Sequence, residues 1–356
     1  MKIMFYINTI SYGGAERVIV NLANHFYDNG YDVVFVTTYK RETEYKLRDN
    51  IQRHVLLDRE NYKFLKKNLL CVKQLRKLLS TEKTDILVSF MAEPNFRAIF
   101  SSLGLKTKNL ISIRNDPNRE YPNVMFRFLA KFLYRLADCV VFQTKDAQSW
   151  FPNAIRKKSC IIPNQVNEQF FQIVPAECHR DIVTVGRLTD QKNQEMLIRA
   201  FSRIANRIDD NLIIYGDGQL RESLMKLVND MSLSERVFLP GSISDVPNTV
   251  KSAKLFVLSS NYEGMPNALI EAMVLGLPCI STDCPCGGPR ELFDEQKNGL
   301  LVKVGDECEL AEKMLYLLKN ESIRLEISNN AARAAMYFSS ESIFAKWETF
   351  VKKVIL

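Results

Sequence analysis

Residues 259–275, SSNYEGMPNALIEAMVL, place two carboxylates on either side of a predicted helix start. Pro266 suits the first turn of a helix, because the N–H that proline lacks would have no partner there. Gly264 permits a close backbone turn just before it. Apolar residues then recur at helical spacing, so Glu263 is expected in the loop and Glu271 about a turn and a half inside the helix. A helix N-terminus beside two hydroxyl acceptors suits phosphate and hydroxyl groups together, which suggests a nucleotide sugar.

Strand-like apolar runs alternate with helical patterns on both sides of this stretch. Such alternation predicts parallel sheets with helices on both faces. A polar connector at 167–180 interrupts the pattern, which then resumes. We therefore expect an α/β protein with two Rossmann-like domains, 1–172 and 173–338, that face each other across a cleft, and a final amphipathic helix in 339–356. The cleft would lie between the carboxyl ends of both sheets. The predicted strands span residues 2–8, 31–39, 54–58, 85–90, 109–116, 139–144 and 160–164, then 181–188, 211–218, 236–241, 254–260, 278–283 and 299–302.

The composition is that of an ordinary soluble globular protein. With 356 residues, 46% of them hydrophobic and 25% charged, the chain is long enough to build two separate cores. The eight cysteines lack ligand-like spacing except for Cys284-Pro-Cys286, and no second pair or nearby histidine completes a metal site. No run of eighteen apolar residues occurs, and the apolar run at 3–7 is too short for a signal peptide. These features predict a cytoplasmic protein.

The charge is unevenly distributed between the two predicted domains. Residues 1–172 contain 27 Lys and Arg against 16 Asp and Glu, whereas the remaining residues contain 21 against 25. A basic domain of this kind can attract nucleic acid or an anionic membrane surface. Nucleic-acid binding would need aromatic residues interleaved on a strand face or a known module, and neither occurs. The sequence therefore favours a membrane surface and predicts no nucleic-acid partner.

Two basic stretches contribute most to this excess, one at 63–77 and one on a helix predicted at 122–137. On that helix Arg127, Lys131 and Arg135 recur at every fourth residue, while phenylalanines and a tyrosine occupy other faces. A basic amphipathic helix is typical of a membrane-docking surface. The alternative is that the phenylalanines belong to the core and the basic stripe is only solvated.

Two cations, Arg187 and Lys192, follow a predicted strand directly in the segment VGRLTDQKN. A leaving diphosphate needs fixed cations or a metal ion to stabilise its developing charge. No carboxylates with metal-ligand spacing lie near this loop, so cations in place of a metal are the simpler interpretation. Cations at a helix start oppose the helix dipole, which favours an anionic partner over two plain surface charges. The residues alone leave open that Glu271 faces solvent and that Glu263 is only a favourable first-turn charge.

Four segments in this order resemble the retaining glycosyltransferases of family four. They are GGAERV at 13–18, VGRL at 185–188 with Lys192 beyond it, YGDGQLRESL at 215–224, and the Glu-seven residues-Glu motif that ends at Glu271. The resemblance covers almost the whole chain. It implies the GT-B fold, in which the first domain binds the acceptor and the second binds a nucleoside-diphosphate sugar.

The resemblance also assigns roles to individual residues. Arg187 and Lys192 would neutralise the diphosphate. Glu271 would hold the ribose hydroxyls, and Glu263 would touch the donor sugar near the reacting carbon. The implied further donor contacts are Gly13, Gly14, Gly216, Gly264, Met265, Pro266, Asn267 and Ala268.

The implied reaction keeps the anomeric configuration by front-face attack, with the leaving phosphate helping to accept the acceptor's proton. It needs no divalent metal or other cofactor. The donor would be a hexose or N-acetylhexosamine on a nucleoside diphosphate such as UDP. The acceptor would be a lipid-linked glycan in surface-polysaccharide (capsule, for example) or glycan-precursor biosynthesis. The enzyme would be peripheral at the inner face of the cell membrane, and the last helix would brace the first domain.

One departure from the family pattern concerns the end of the strand predicted at 109–116. Many family members carry a histidine there, whereas this chain has Arg114, Asn115 and Asp116, which we predict as sugar or acceptor contacts. Two alternative functions remain at the level of sequence. One is a sugar-nucleotide epimerase of the same fold, which would need acid and base side chains in a chain with three histidines. The other is a non-catalytic nucleotide- or glycan-binding protein.

Overall fold

Two parallel β-sheets organise the chain, each in its own unit. The computed structural model describes residues 1–11, 13–59, 61–173, 181–294 and 297–355. Unit 1 comprises Met1–Gln165 and Glu341–Leu356, and unit 2 comprises Val166–Ser340. The first boundary lies seven residues before the expected one, because Val166 already pairs with Ser339 in unit 2. The second lies two residues after the expected one.

Unit 1 contains a seven-stranded parallel sheet in the order β3-β2-β1-β4-β5-β6-β7. The order runs outward in one direction from β1 and in the other from β4, so the topological switch point lies between these two strands. The strands are β1 Lys2–Ile7, β2 Asp32–Thr37, β3 Gln52–Val55, β4 Ile86–Phe90, β5 Lys108–Ser112, β6 Cys139–Phe142 and β7 Ser159–Ile161. The helices are α1 Gly14–Asp28, α2 Phe64–Thr81, α3 Ala92–Ser102, α4 Pro117–Glu120, α5 Val124–Leu133, α6 Lys145–Ser149 and α7 Asn153–Arg156.

Unit 2 repeats this plan with a six-stranded parallel sheet in the order β10-β9-β8-β11-β12-β13. Its switch point lies between β8 and β11. The strands are β8 Asp181–Val185, β9 Asn211–Tyr215, β10 Val237–Gly241, β11 Leu255–Leu258, β12 Cys279–Thr282 and β13 Leu300–Val302. The helices are α8 Gln194–Ser202, α9 Arg221–Asp230, α10 Val246–Val250, α11 Asn267–Val274, α12 Gly288–Leu292, α13 Glu307–Lys319 and α14 Glu321–Ala335. The prediction of two Rossmann-like α/β domains is confirmed.

Both faces of each sheet are buried, which explains why the strands are continuously apolar rather than alternating. In β1, Ile3 and Phe5 join a core cluster on one face, and Met4 and Tyr6 join another on the opposite face. In unit 2 the two faces are likewise covered by separate clusters.

The last helix, α15 (Ser340–Ile355), completes the core of unit 1. Its apolar residues Ile343, Phe344, Trp347 and Val351 are buried in the same cluster as Ile3. The Trp347 ring stacks on Phe90 with 5.8 Å between the ring centroids. The helix therefore closes one face of the first sheet.

Most strands are shorter than the sequence predicts, and most of the residues lost are at their carboxyl ends. The strand expected at 181–188 ends at Val185, and the one expected at 109–116 ends at Ser112. The residues that follow, 186–188 and 113–116, lie in loops at the carboxyl edge of each sheet. Most of the predicted site residues lie in these loops.

Candidate active site

An ion pair joins the two loops at the switch point of unit 2. Lys192 lies in the loop after β8, and Glu263 lies in the loop after β11. The Lys192 Nζ atom is 2.6 Å from Glu263 Oε1, and both side chains are largely buried. Ligands of open α/β sheets bind outside the carboxyl ends of the strands at this position. The structure thus brings together two of the residues predicted to be catalytic.

The Glu263 carboxylate is held by further hydrogen bonds. The Ser260 hydroxyl donates to Oε1 at 2.7 Å, and the Gln191 amide donates to Oε2 at 3.4 Å. Ser260 is fixed in turn, because the Thr282 hydroxyl donates to its carbonyl oxygen at 2.6 Å. Hydrogen bonds to a charged group are stronger than those between neutral groups. The carboxylate is therefore preorganised before any ligand binds.

Asn261 ties the two loops together through its backbone and side chain. Its N–H donates to the Gln191 carbonyl at 2.8 Å, and its side-chain amide donates to the Asp190 carbonyl at 2.7 Å. The Asn193 amide donates to Asn261 Oδ1 at 2.9 Å. These bonds fix the distance between the loops and thereby the Lys192–Glu263 geometry.

A third segment, residues 284–288, which runs into the first residue of α12, positions the backbone of Glu263. The Glu263 N–H donates to the Pro285 carbonyl at 2.7 Å, and the Cys286 N–H donates to the Glu263 carbonyl at 2.9 Å. A Cβ on Gly288 would overlap the Gly264 carbonyl oxygen, so only glycine fits there. The close approach of the two backbones therefore depends on Gly288. Gly264 does not have a positive φ, so its own conformation does not require glycine. Sequence reasoning found no role for this segment.

The neighbouring thiol, that of Cys284, is unreactive. Cys284 is buried, and burial raises its pKa to about 12. Because the thiolate is the reactive form, a protonated thiol at neutral pH is neither a nucleophile nor a good metal ligand. The segment is therefore a structural brace for Glu263.

Helix α11 begins one residue later than predicted, with Pro266 as its N-cap instead of in its first turn. Glu271 is the fifth residue of the helix and is buried, with 6% of its surface exposed. The solvent-facing alternative for Glu271 is therefore wrong. Five further predicted donor contacts lie at this helix start: Gly264, Met265 and Pro266 are buried, and Asn267 and Ala268 are partly exposed.

Arg187 differs from Lys192 in its surroundings. It is exposed, and among the described residues its guanidinium group has no hydrogen-bond or ion-pair partner. Its carbonyl oxygen accepts a bond of 2.9 Å from the Gln194 side chain, which fixes the backbone. Of the two predicted diphosphate-binding cations, Lys192 is already ion-paired, whereas Arg187 has no side-chain partner among the described residues.

Gly216 has a packing role at the end of β9. Its φ is +137°, and a Cβ there would overlap the Gly186 carbonyl oxygen. The Gly186 N–H donates to the Tyr215 carbonyl at 2.9 Å, so the two loops lie directly against each other. Gly216 thus allows the loop that carries Arg187 to turn at the sheet edge.

In unit 1, Gly13 caps α1 and Gly14 is its first residue. A Cβ on Gly13 would overlap the Glu16 carboxylate, which places that carboxylate over the cap. Glu16 occupies the third helical position, where an acidic residue characteristically folds back to the helix start. The glycines therefore allow a close approach to the N-terminus, and the chain's own carboxylate lies there in this structure.

The residues that replace the family's histidine have different surroundings. Arg114 is buried over the Phe90 ring, 4.6 Å from the ring centroid, and donates to Asn164. Burial lowers its pKa to about 9, so it remains protonated at neutral pH. Asp116 caps α4 by accepting from the Asn118 N–H at 3.0 Å. Asn115 is partly exposed, so it is the most accessible of the three.

Arg97 forms a buried cluster at the switch point of unit 1 that sequence reasoning missed. Its guanidinium NH1 donates to Asn8 Oδ1 at 2.8 Å and to Thr38 Oγ1 at 3.1 Å, and NH2 donates to Glu93 at 2.7 Å. Asn8 and Thr38 follow directly after β1 and β2. The sequence feature that could have indicated this cluster is a polar residue, Asn8 or Thr38, directly after each of two buried strands.

Two further features concern metals and membranes. Within the described ranges, no three His, Cys, Asp or Glu side chains form a group that could hold a metal ion. Of the helices in those ranges, none has both the length and the apolar character needed to cross a bilayer.

Two family models together match most of the chain. The model for glycosyltransferase family 4 matches residues 12–170, and the model for glycosyl transferases group 1 matches residues 165–334. The boundary between the two matches coincides closely with the boundary between the two units.

Two similar sequences come from Campylobacter jejuni. One is an α-1,4-N-acetyl-D-galactosaminyltransferase named for a glycan acceptor on undecaprenol diphosphate; it is 28% identical over 363 residues, with 99% of each chain covered. The other is a 4-α-N-acetylgalactosaminyltransferase named for a diphospho-undecaprenol acceptor; it is 29% identical, with 96% of this chain and 97% of the relative covered.

Among solved structures, HepE from Anabaena in complex with UDP superimposes with a TM-score of 0.85. The two chains are 19% identical, and the match covers 99% of this chain and 100% of HepE. A likeness of this extent establishes the two-domain GT-B fold.

Proposed function

This chain belongs to the glycosyltransferases of family four, and on that premise we propose that it transfers a sugar from a nucleoside-diphosphate donor to a lipid-linked glycan with retention of configuration. The proposal rests mainly on the preorganised Lys192–Glu263 ion pair at the switch point of unit 2. The donor is bound by unit 2, and the acceptor by unit 1.

Arg187 and Lys192 bind the donor diphosphate. Arg187 is exposed and uncommitted, so it can bind phosphate oxygens without breaking an existing contact. Lys192 is already partly desolvated, which strengthens its interaction with charge that develops on the leaving group. Its bond to Glu263 also fixes the ammonium group in one position.

Glu263 orients the donor sugar near the reacting carbon. In the transfer step, the bond between the anomeric carbon and the phosphate oxygen breaks, and a bond from the acceptor hydroxyl oxygen forms on the same face. The hydroxyl proton passes to the leaving phosphate, which departs as the nucleoside diphosphate. Glu271, on α11, binds the ribose hydroxyls. We infer UDP as the nucleotide, since a protein of the same fold binds it.

The proposed acceptor is a glycan on a polyprenyl diphosphate, because both Campylobacter relatives are named for such acceptors. The strongly basic residues 1–172 support this choice, since they would attract an anionic membrane surface. The enzyme would then work as a peripheral protein at the inner face of the cell membrane, in glycan-precursor or surface-polysaccharide biosynthesis.

The experiment is a panel of nucleotide sugars incubated with lipid-extract acceptors, with release of free nucleotide as the readout. We expect release from one donor only when an acceptor is present. Conversion of the nucleotide sugar to an isomer without acceptor would instead indicate an epimerase. Binding of the donor without release or conversion would indicate a non-catalytic binding protein.

Metal independence is part of the proposal, and Arg187 and Lys192 support it, because fixed cations can stabilise a leaving diphosphate without a metal ion. We expect the initial rate to be unchanged after dialysis against EDTA and restoration of salt. A rate that falls with EDTA and recovers with Mg²⁺ or Mn²⁺ would contradict this part of the mechanism.

A further inference from the structure

An apolar groove of 440 Å³ lies in unit 1 between α2, α3 and α5. Its volume falls in the range of small-ligand sites. Most of its lining is aromatic or aliphatic, and it includes Phe64 and Leu65 of α2, Phe96 and Phe100 of α3, and Phe126 and Leu129 of α5. Phe64, Leu65 and Phe100 are exposed to solvent. Exposed apolar surface around a groove marks a site that another apolar group covers.

The groove reaches the edge of the sheet at which unit 1 would bind its acceptor. Ala92 and Glu93 line it and follow β4, and Glu120 and Tyr121 line it beyond the end of β5. Arg97 also lines the groove and donates at 2.8 Å to Asn8, which directly follows β1. One end of the groove is therefore continuous with the switch point of unit 1.

Two cations lie beside the groove, and one of them is paired with a carboxylate in its lining. Lys67 lies next to the lining residues of α2, with its Nζ atom 3.3 Å from Glu93. Arg127 lies beside the lining residues of α5 and donates to the Tyr121 carbonyl at 2.9 Å. Burial raises the pKa of Glu120 to about 8, so this carboxyl in the groove wall is mostly protonated at neutral pH.

We propose that this groove binds the first part of the acceptor's polyprenyl chain, with the diphosphate next to it at the carboxyl edge of the sheet. The proposal rests on the proposed function, since it takes the acceptor to be lipid-linked. The groove is continuous with the switch point of unit 1, where the acceptor would bind. This favours the lipid chain of the acceptor as the occupant, because a protein partner would not need to reach the carboxyl edge of the sheet. The neighbouring lysine and arginine complement the diphosphate.

Helix α2 offers a matched pair of variants. Leu65 lines the groove and is 74% exposed, whereas Leu69, one turn further on, is 72% exposed and outside the lining. Leu65→Glu and Leu69→Glu make the same chemical change on the same helix at the same exposure. Because both leucines face solvent, neither change should unfold the protein.

The first readout is the KM for two acceptors in detergent solution, an N-acetylhexosaminyl diphosphate on a long polyprenyl chain and the same compound with a methyl group in place of the chain. We expect Leu65→Glu to raise the KM for the long-chain acceptor about tenfold, because the variant places a charge against the apolar chain. The KM for the methyl compound should remain almost unchanged, since that compound has no chain to enter the groove. Leu69→Glu should change neither value. Equal effects of both variants would indicate a general membrane-facing patch and overturn the proposal.

The second readout does not require catalysis. A polyprenyl diphosphate with a diazirine on its first isoprene units should label peptides within 64–72 and 120–133, with labelling reduced in Leu65→Glu and retained in Leu69→Glu. Labelling elsewhere, or a change of oligomeric state in Leu65→Glu without a change in labelling, would overturn the groove assignment. If the groove is labelled but neither acceptor is glycosylated, the proposed function fails and the groove assignment stands.

Discussion

At the scale of single residues, the bond between Lys192 and Glu263 determines how both side chains are used. The two residues are 71 positions apart in sequence and 2.6 Å apart in the structure. Sequence reasoning assigned the lysine to the diphosphate and the glutamate to the sugar, and nothing in the sequence linked them. If both roles hold, the Lys192–Glu263 ion pair contacts both the diphosphate and the sugar of the donor.

Replacing Glu263 by Gln should chiefly slow turnover. The amide is nearly isosteric but loses the ion pair, which leaves Lys192 partly buried without its counter-charge. We expect kcat to fall about a hundredfold, the loss typical of removing one preorganised electrostatic group, with a small change in donor KM. Steady-state kinetics with varied donor concentration measures both. The matched control is Glu309→Gln, a change of the same kind on α13, which should leave kcat within about twofold.

Replacing Glu271 by Gln should chiefly weaken donor binding. A neutral amide accepts weaker hydrogen bonds from ribose hydroxyls than a carboxylate does, so we expect the Kd for the nucleotide to rise about tenfold. Isothermal titration with free UDP measures this without turnover. A Glu271→Gln variant that binds UDP normally but turns over slowly would mean that the roles of the two glutamates are exchanged.

Glu120 gives a pH-dependent prediction. Burial raises its pKa to about 8, while a hydrogen bond from the Ala92 backbone and the charge of Arg114 act in the opposite direction. The folded state therefore holds the proton more tightly than the unfolded state, so this group makes the protein less stable as pH rises from about 4.5 to about 8.

We expect Glu120→Gln to have a higher Tm than the wild type at about pH 9, with the difference vanishing toward about pH 4.5. Differential scanning calorimetry across this range measures both proteins. A difference in Tm that is the same at every pH would mean that the carboxyl does not titrate in the groove wall.

At the scale of elements, the sequence predicted the order and type of the strands and main helices, because fully buried parallel strands and amphipathic helices have distinct periodicities. It was least accurate at strand ends. The residues after β8 resemble a strand extension, but the Leu188 N–H donates at 2.9 Å to the Asp217 carbonyl in the adjoining loop, not to a neighbouring strand. Contacts between loops from different strands set these boundaries, and they leave no local pattern.

Helix α5 was open to two interpretations from its sequence. Phe128 and Phe132 are 68% and 52% exposed and stack on each other, with 6.3 Å between their ring centroids, so they are not core residues. Phe126 instead lines the groove. Exposed aromatic residues beside a basic stripe support the proposal that this helix docks on a membrane.

The double variant Phe128→Glu/Phe132→Glu should lose binding to anionic liposomes, because it removes the apolar face and adds negative charge. We expect at least a tenfold reduction in the bound fraction at low salt in a flotation assay. Leu325→Glu, at an exposed position on α14 of unit 2, is the control and should float like the wild type. A wild type with no preference for anionic over neutral liposomes would refute membrane docking by the basic surface.

At the scale of the whole molecule, the sequence predicted two Rossmann-like domains and the glycosyltransferase family, and both are confirmed. Family motifs carry such information because each maps to a loop at a strand end. The sequence did not identify the segment 284–288 or the Arg97 cluster, since their roles depend on contacts between distant segments. It also gave no indication that Arg114 would be buried.

The uneven charge is also a property of the whole molecule. The excess of Lys and Arg is confined to residues 1–172, which form most of the unit proposed to bind the acceptor. The proposed donor unit carries no such excess. This division fits an enzyme that takes a soluble donor and a membrane-bound acceptor.

Whether the enzyme retains configuration is read from the anomeric configuration of the product, measured by NMR after transfer from the nucleotide sugar that the panel identifies. We expect a new glycosidic bond with the same configuration as the donor's bond to phosphate, and one nucleoside diphosphate released for each bond formed. A product of inverted configuration, or nucleotide release that does not depend on acceptor, would contradict this expectation.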